Sequence, residues 1–194
     1  MNAFLNYDLD GIGTLEDLQK VVMACNRCVL RQGCRGVVFG EGNPHSKLMF
    51  IGEAPGATED QLGRPFVGRA GQLLTRIIKA MGYEREEEYI TNINKCRPPQ
   101  NRTPYPDEVA ACYPYLQAQL RIIAPQVIVC LGAHASKALI DPDFRISKQR
   151  GQWYELEGIK LMPTYHPAAL LRNPQLKRPV WDDMKQVMAL LESL

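Results

Sequence analysis

No run of apolar residues in this chain is long enough to cross a membrane, and no low-complexity tract interrupts it. Those two absences exclude a helical integral membrane protein and a disordered linker. The opening MNAFLNYDLDGIGTLEDLQKV carries acidic residues and lacks an apolar signal core. Export is therefore not expected; the expected compartment is a reducing cytoplasm, where cysteines serve better as ligands than as disulfides. A large excess of either sign of charge is also lacking. A formal net charge of +2 is too mild to establish a nucleic-acid partner, but its distribution is uneven. Between Arg145 and Lys185 there are eight Lys/Arg against four acids, whereas the first 24 residues hold Lys20 against Asp8, Asp10, Glu16 and Asp17.

What remains is enough for a sizeable core. With 194 residues and 45% hydrophobic content, the chain is expected to fold as one domain spanning 1–194. Thr14 reads as the N-cap of a first helix with Asp17 at N3. Short apolar runs at 47–51, 88–93, 126–131 and 158–162 read as strands. Between them, 71–81, 106–123, 132–140 and 181–191 carry helical spacing. Alternation of buried strands with amphipathic helices predicts an α/β fold with a largely parallel sheet covered on both faces.

Six cysteines stand out against this background. Cys25-x2-Cys28 and Cys96-x15-Cys112 form two pairs that a fold can bring together as a four-thiolate site. Spacing alone leaves zinc and an iron-sulfur cluster equally open. Cys130, inside the apolar run VIVCL, reads as a core residue, and Cys34 as a spare thiol or a competing ligand.

In a parallel sheet, ligands bind in the loops beyond the strand C-termini. The unusual residues of this chain fall there. GEAPGATED (52–60) and GRPFVG (63–68) follow the first strand, Asn92, Asn94 and KCRPPQNR the second, and HPAALLRNP (166–174) the last. A carboxylate (Glu53), an amide (Asn92) and an imidazole (His166) are thus expected at one sheet edge. Taken singly, each has a plainer reading: a helix N-terminal charge, a turn residue and a surface loop residue.

The ordered set GEAPG, GRPFVGRAG, TNINKCRPPQNR and HPAALLRNP, with the four-cysteine spacing, resembles the family 4 uracil-DNA glycosylases from about Leu15 to the C-terminus. The resemblance implies a three-layer α/β/α sandwich around a central four-stranded, mainly parallel sheet. It implies a [4Fe-4S] cluster on Cys25, Cys28, Cys96 and Cys112, with Cys34 outside the set. It further implies an enzyme that flips uracil out of single- or double-stranded DNA, hydrolyses its N-glycosidic bond and leaves an abasic site. A monomer is expected, with a replication clamp left open as a partner.

On that resemblance, Phe66 stacks on the uracil ring, and Asn92 accepts from N3–H while donating to O4. Asn94, two residues further on, is the second choice. His166 stabilises O2 as negative charge leaves with the base. Ala54 stands where the best-known branch of the superfamily has a water-handling aspartate, so water activation falls to Glu53 first and Asn101 second. Gly56 stands where that branch blocks thymine with a tyrosine; Glu59, one turn on, is expected to fill the space, its plainer reading being a favourable helix N-terminal charge. Leu170 or Leu171 is expected to wedge into the vacated stack. Arg172, Lys177, Arg178, Arg97 and Arg102 are phosphate-contact candidates. Covalent trapping of uracil-DNA, as in a related branch, is disfavoured because KCRPPQNR holds no histidine. A non-catalytic, cluster-stabilised DNA-binding module is the alternative of another class.

Overall fold

The computed structural model of the protein describes residues 9–194. The first eight residues, part of the stretch read as lacking a signal core, lie outside the described residues. Chain order runs α1 (Leu15–Met23), α2 (Leu30–Gly33), β1 (Glu41–Gly42), β2 (Leu48–Gly52), α3 (Ala57–Leu62), α4 (Arg69–Ala80) and β3 (Tyr89–Asn92). It continues with α5 (Pro106–Ile123), β4 (Val127–Leu131), α6 (Ala133–Leu139), α7 (Ile146–Gln149), β5 (Tyr154–Leu156), β6 (Ile159–Thr164), α8 (Pro167–Arg172) and α9 (Lys177–Ser193). Thr14 caps α1 as its sequence predicts, its side chain accepting from the Asp17 N–H at 3.2 Å.

The strands form one sheet of order β1-β3-β2-β4-β6-β5. The inner four are mutually parallel, as expected, but the sheet has six strands rather than four. The additions are short antiparallel edges, with β1 pairing β3 and β5 pairing β6. Each is too brief for periodicity to register. β5 and β6 form a hairpin whose turn residues Glu157 and Gly158 both take positive φ, at 50° and 86°. That is the primed geometry whose twist matches a hairpin.

Because successive strand residues point to opposite faces, each inner strand feeds two cores. Met49, Ile51, Ile128, Cys130 and Leu161 pack with α1, α5 and α6 on one face. Leu48, Phe50, Val127, Val129 and Met162 pack with α4, α8 and α9 on the other. The result is the α/β/α sandwich the sequence implies. Cys130 is a core residue whose thiol burial pushes upward, in line with the apolar run around it.

The path through the sheet sets the position of a crevice. From β2 the chain moves to β3 on one side, then returns across to β4 on the other. The switch point therefore lies between the C-terminal ends of β2 and β4, where open α/β sheets place their ligands.

Candidate active site

Gly52 closes β2 directly opposite Asn92 at the end of β3. A Cβ at Gly52 would stand 2.4 Å from Phe66 Cζ and 2.6 Å from Asn92 Oδ1. Phenyl ring and amide thus converge over a strand end that has room only for hydrogen. Phe66 itself sits at φ 50°, held there by α4, where a Cβ on Gly71 would meet the Phe66 carbonyl carbon at 1.9 Å. The His166 ring completes the group, 5.6 Å from that of Phe66 between centroids and tilted by 32°.

These residues line a cavity of about 120 Å³ together with Ala54, Gly56, Glu59 and Ala70. Two of its polar groups are set for a ligand. Asn92 Oδ1 is buried with no protein partner, an acceptor whose desolvation only a bound donor repays. Its backbone is pinned, since the buried Lys95 ammonium donates to Asn92 O at 2.7 Å, Thr91 Oγ1 at 2.6 Å and Gln119 Oε1 at 2.6 Å. His166 Nδ1 accepts from the Ala168 N–H at 3.1 Å, so in the neutral ring the proton resides on Nε2. Burial, and then the Arg172 charge, hold its pKa down at about 4, against a smaller opposing pull from Glu59. At neutral pH the imidazole is an uncharged donor.

Glu59 is fixed rather than mobile. Its Oε1 accepts from the Val67 and Gly68 N–H groups at 2.9 and 2.7 Å, capping α4. Oε2 lies 2.9 Å from where a Cβ on Gly56 would stand. The carboxylate therefore occupies the space that Gly56 leaves open, and it serves two helix N-termini at once: the first turn of its own α3 and the start of α4. Beyond the cavity, Glu53 follows β2 with its backbone carbonyl accepting from the Asn94 N–H at 3.0 Å.

Several expected residues lie elsewhere. Asn101 sits on an exposed 3₁₀ turn, accepting from Arg97 Nε at 2.7 Å, and does not line the cavity. Asn94 faces away, donating to the Glu108 carbonyl at 3.0 Å. Of the two leucines, Leu170 is 2% exposed and belongs to the core, while Leu171 is 36% exposed. The wedge candidate is therefore Leu171; Leu170 is corrected to a packing residue. Arg102 forks onto the fully buried Glu108 carboxylate at 2.7 and 2.8 Å and stacks on Tyr105, 3.8 Å from its centroid. Its charge is committed to closing the N-terminus of α5.

Cys25, Cys28, Cys96 and Cys112 line one largely apolar pocket with Val22, Leu30, Val37 and Tyr115. Backbone N–H groups already face two of the sulfurs, Lys95 N to Cys112 at 3.3 Å and Arg27 N to Cys25 at 3.5 Å. Such donors are what cluster thiolates use. Burial pushes the Cys28 and Cys96 thiols up and that of Cys112 to about 11, so in the absence of a metal these three sulfurs are neutral. As the side chains stand, no group of three or more His, Cys, Asp or Glu among the described residues is arranged to hold an ion. The donor set and its enclosure fit a four-thiolate centre, with the Cys96 thiol also hydrogen-bonded to that of Cys34. Cys34 does not line this pocket.

A sequence profile for the uracil DNA glycosylase superfamily matches residues 39–185. The chain belongs to that superfamily. Among curated relatives, the type-4 uracil-DNA glycosylase of Sulfurisphaera tokodaii is 47% identical over 91% of this chain and 84% of its own length. That of Thermotoga maritima is 46% identical over 92% and 97%. The type-5 uracil-DNA glycosylase of Thermus thermophilus is more distant, 31% identical over 66% of this chain. Within the superfamily the chain groups with the type-4 branch.

Sequence reasoning missed residues that support the superfamily pocket from a distance. Asp183 of α9 is buried, accepts from Thr164 Oγ1 at 2.5 Å and pairs with Arg150, whose guanidinium also donates to Pro179 O at 2.7 Å. This network fixes the end of β6 two residues before His166. Gly52 and Lys95 were visible only as a small residue and a basic one. Their partners lie on other elements, so only the fold reveals them.

Proposed function

We propose that the protein excises uracil from DNA at the cavity between Phe66, Asn92 and His166. The observation that carries this reading is the buried, unpaired Oδ1 of Asn92 beside a neutral imidazole donor. Uracil offers N3–H to that acceptor and O4 to the amide Nδ2–H, whereas cytosine presents the reverse pattern and leaves both groups mismatched. A site built this way rejects the wrong base by ~10⁴–10⁵. Phe66 supplies the face on which the extrahelical base lies.

As the C1′–N1 bond breaks, its electron pair leaves on uracil and charge gathers at O2. His166 Nε2–H stabilises that charge without surrendering its proton; one such donor is worth about 2.7–4 kcal/mol. Glu53 faces the cationic sugar and orients the water whose oxygen bonds C1′. Glu59 closes the side of the cavity where thymine carries its methyl group. Leu171 fills the space left by the flipped nucleotide, and Arg172, Lys177, Arg178 and Arg97 contact phosphates, so binding weakens with salt.

Cys25, Cys28, Cys96 and Cys112 hold a [4Fe-4S] cluster. Its contribution is structural: when bound it ties the segment after α1 to the chain following β3 and to α5. The decisive test uses oligonucleotides, single- and double-stranded, carrying one uracil, thymine or cytosine. Alkali after incubation should cut at uracil alone. Absence of abasic sites on every substrate defeats the glycosylase reading in favour of a binding module. An SDS-resistant protein–DNA band points instead to covalent trapping.

A further inference from the structure

His134 lies in the first turn of α6, two residues beyond Gly132, and no motif drew attention to it. Gly132 takes φ 92°, and a Cβ there would stand 2.9 Å from His166 Cβ. The turn from β4 into α6 is thus pressed against the loop that carries the catalytic imidazole. α6 packs on β2 as well as on β4. It consequently spans the switch-point crevice, with Glu53 emerging from the β2 side of the same opening.

Two chemical facts stand out at this place. His134 Nε2 is fully shielded from solvent and has no hydrogen-bond partner. The Glu53 carboxylate, part-buried, accepts no hydrogen bond from the protein among the described residues, and its negative charge acts on the His134 ring. Burial outweighs that charge and lowers the His134 pKa, with Lys137 adding to the effect. An imidazole that is neutral and inward-facing is poorly suited to bind a phosphate. It is well suited to hold a carboxylate or the water lying on it, because a neutral ring offers one N–H and imposes no second charge. A shielded, partnerless ring nitrogen is costly to the fold, a cost that engagement at the crevice would offset.

We propose that His134 is a positioning residue for hydrolysis, orienting the Glu53 carboxylate and the attacking water from the β4 side of the crevice. This inference rests on the glycosylase reading. In the step it serves, the water oxygen bonds C1′ while the C1′–N1 pair departs on uracil. The water proton passes by way of Glu53 to solvent, and uracil takes up its own proton from solvent after release. His134 donates or accepts one hydrogen bond throughout and exchanges no proton.

The test is single-turnover excision of uracil from a single-stranded oligonucleotide by wild type, His134→Ala, His134→Gln, Glu53→Gln and the two Glu53→Gln doubles, with melting temperatures recorded for each. His134→Ala should lower the chemical rate about 10- to 100-fold while leaving KM and the salt dependence of DNA binding unchanged. His134→Gln, which keeps a hydrogen-bonding nitrogen at the same reach, should recover at least half of that loss on a logarithmic scale. In the Glu53→Gln background, His134→Ala should cost less than threefold, since residues acting as a unit are not additive. An unchanged rate in His134→Ala, a loss confined to KM, or a full additive loss in the double would each overturn the proposal. In all three cases wild-type excision still stands, so the glycosylase reading is judged separately. Should His134→Ala fail to fold, His134→Gln and its double carry the same comparison.

Discussion

Replacing Gly52 with alanine adds one carbon at the most crowded point of the pocket. The new Cβ would meet Phe66 Cζ at 2.4 Å, Phe66 Cε2 at 2.9 Å and Asn92 Oδ1 at 2.6 Å, where ordinary contacts begin at 3.4 Å. Ring and amide must therefore separate by about 1 Å. Neither has a free path. The Phe66 backbone is backed by Gly71, where a Cβ would already sit 1.9 Å away, and the Asn92 carbonyl is held by Lys95 at 2.7 Å. Overpacking of this kind costs about 1–3 kcal/mol of stability. A displacement of that size at reacting groups costs about 10²-fold in rate. Gly52→Ala should therefore fold with a lowered melting temperature and excise uracil at roughly one hundredth of the wild-type single-turnover rate. A folded variant with wild-type rate would refute the claim that Phe66 and Asn92 form the reading walls of the pocket.

Further expectations follow from other contacts. Glu59→Ala removes the carboxylate beside Gly56 and the one oxygen that accepts two backbone hydrogen bonds at the start of α4; it should excise thymine measurably where wild type does not, and lose about 1–2 kcal/mol in denaturant titration. Arg102→Ala leaves the Glu108 carboxylate without its partner and should lower the melting temperature, whereas Arg97→Ala should leave stability unchanged and lower the salt slope of DNA binding by about one. His166 has a folded pKa of about 4 against an ordinary 6.5. Its contribution is therefore complete above pH 6.5 and lost as pH falls toward 4, where the unfolded chain binds the proton first. That difference is worth about 3 kcal/mol, and the gap in denaturation midpoint between pH 7 and pH 4.5 should shrink in His166→Asn.

The inner sheet was legible because β2 and β4 are buried on both faces and read as continuous apolar runs, and β3 and β6 carry short β-branched and apolar stretches between helical segments. α5 was legible end to end, from Pro106 at its first turn to Ile123. The edges were not, since two residues in β1 and three in β5 carry no period. β6 also extends past the expected stop at Pro163. The proline is tolerated because the β5 pairing ends at Leu161, leaving that edge free of a hydrogen bond that Pro163 would have to donate.

At the site, Glu59, Phe66, Asn92 and His166 were readable from strand-end position and family resemblance, and the fold brings them around one cavity. For Asn101, position in a loop does not measure reach; the structure sets it on an exposed turn with its Oδ1 accepting from Arg97. Leu170 and Leu171 could not be told apart until the short helix α8 set one inward. Lys95, Asp183 and His134 act through partners on distant elements, a relation that residue type and spacing do not encode.

The most direct measurement of the central claim is release of free base from an oligonucleotide containing one uracil, quantified for wild type and Asn92→Ala under single-turnover conditions. Wild type should release uracil stoichiometrically and no cytosine from a matched control, and Asn92→Ala should fall by at least 10²-fold. Release of no uracil by the wild-type protein, or an undiminished rate in Asn92→Ala, would contradict the account.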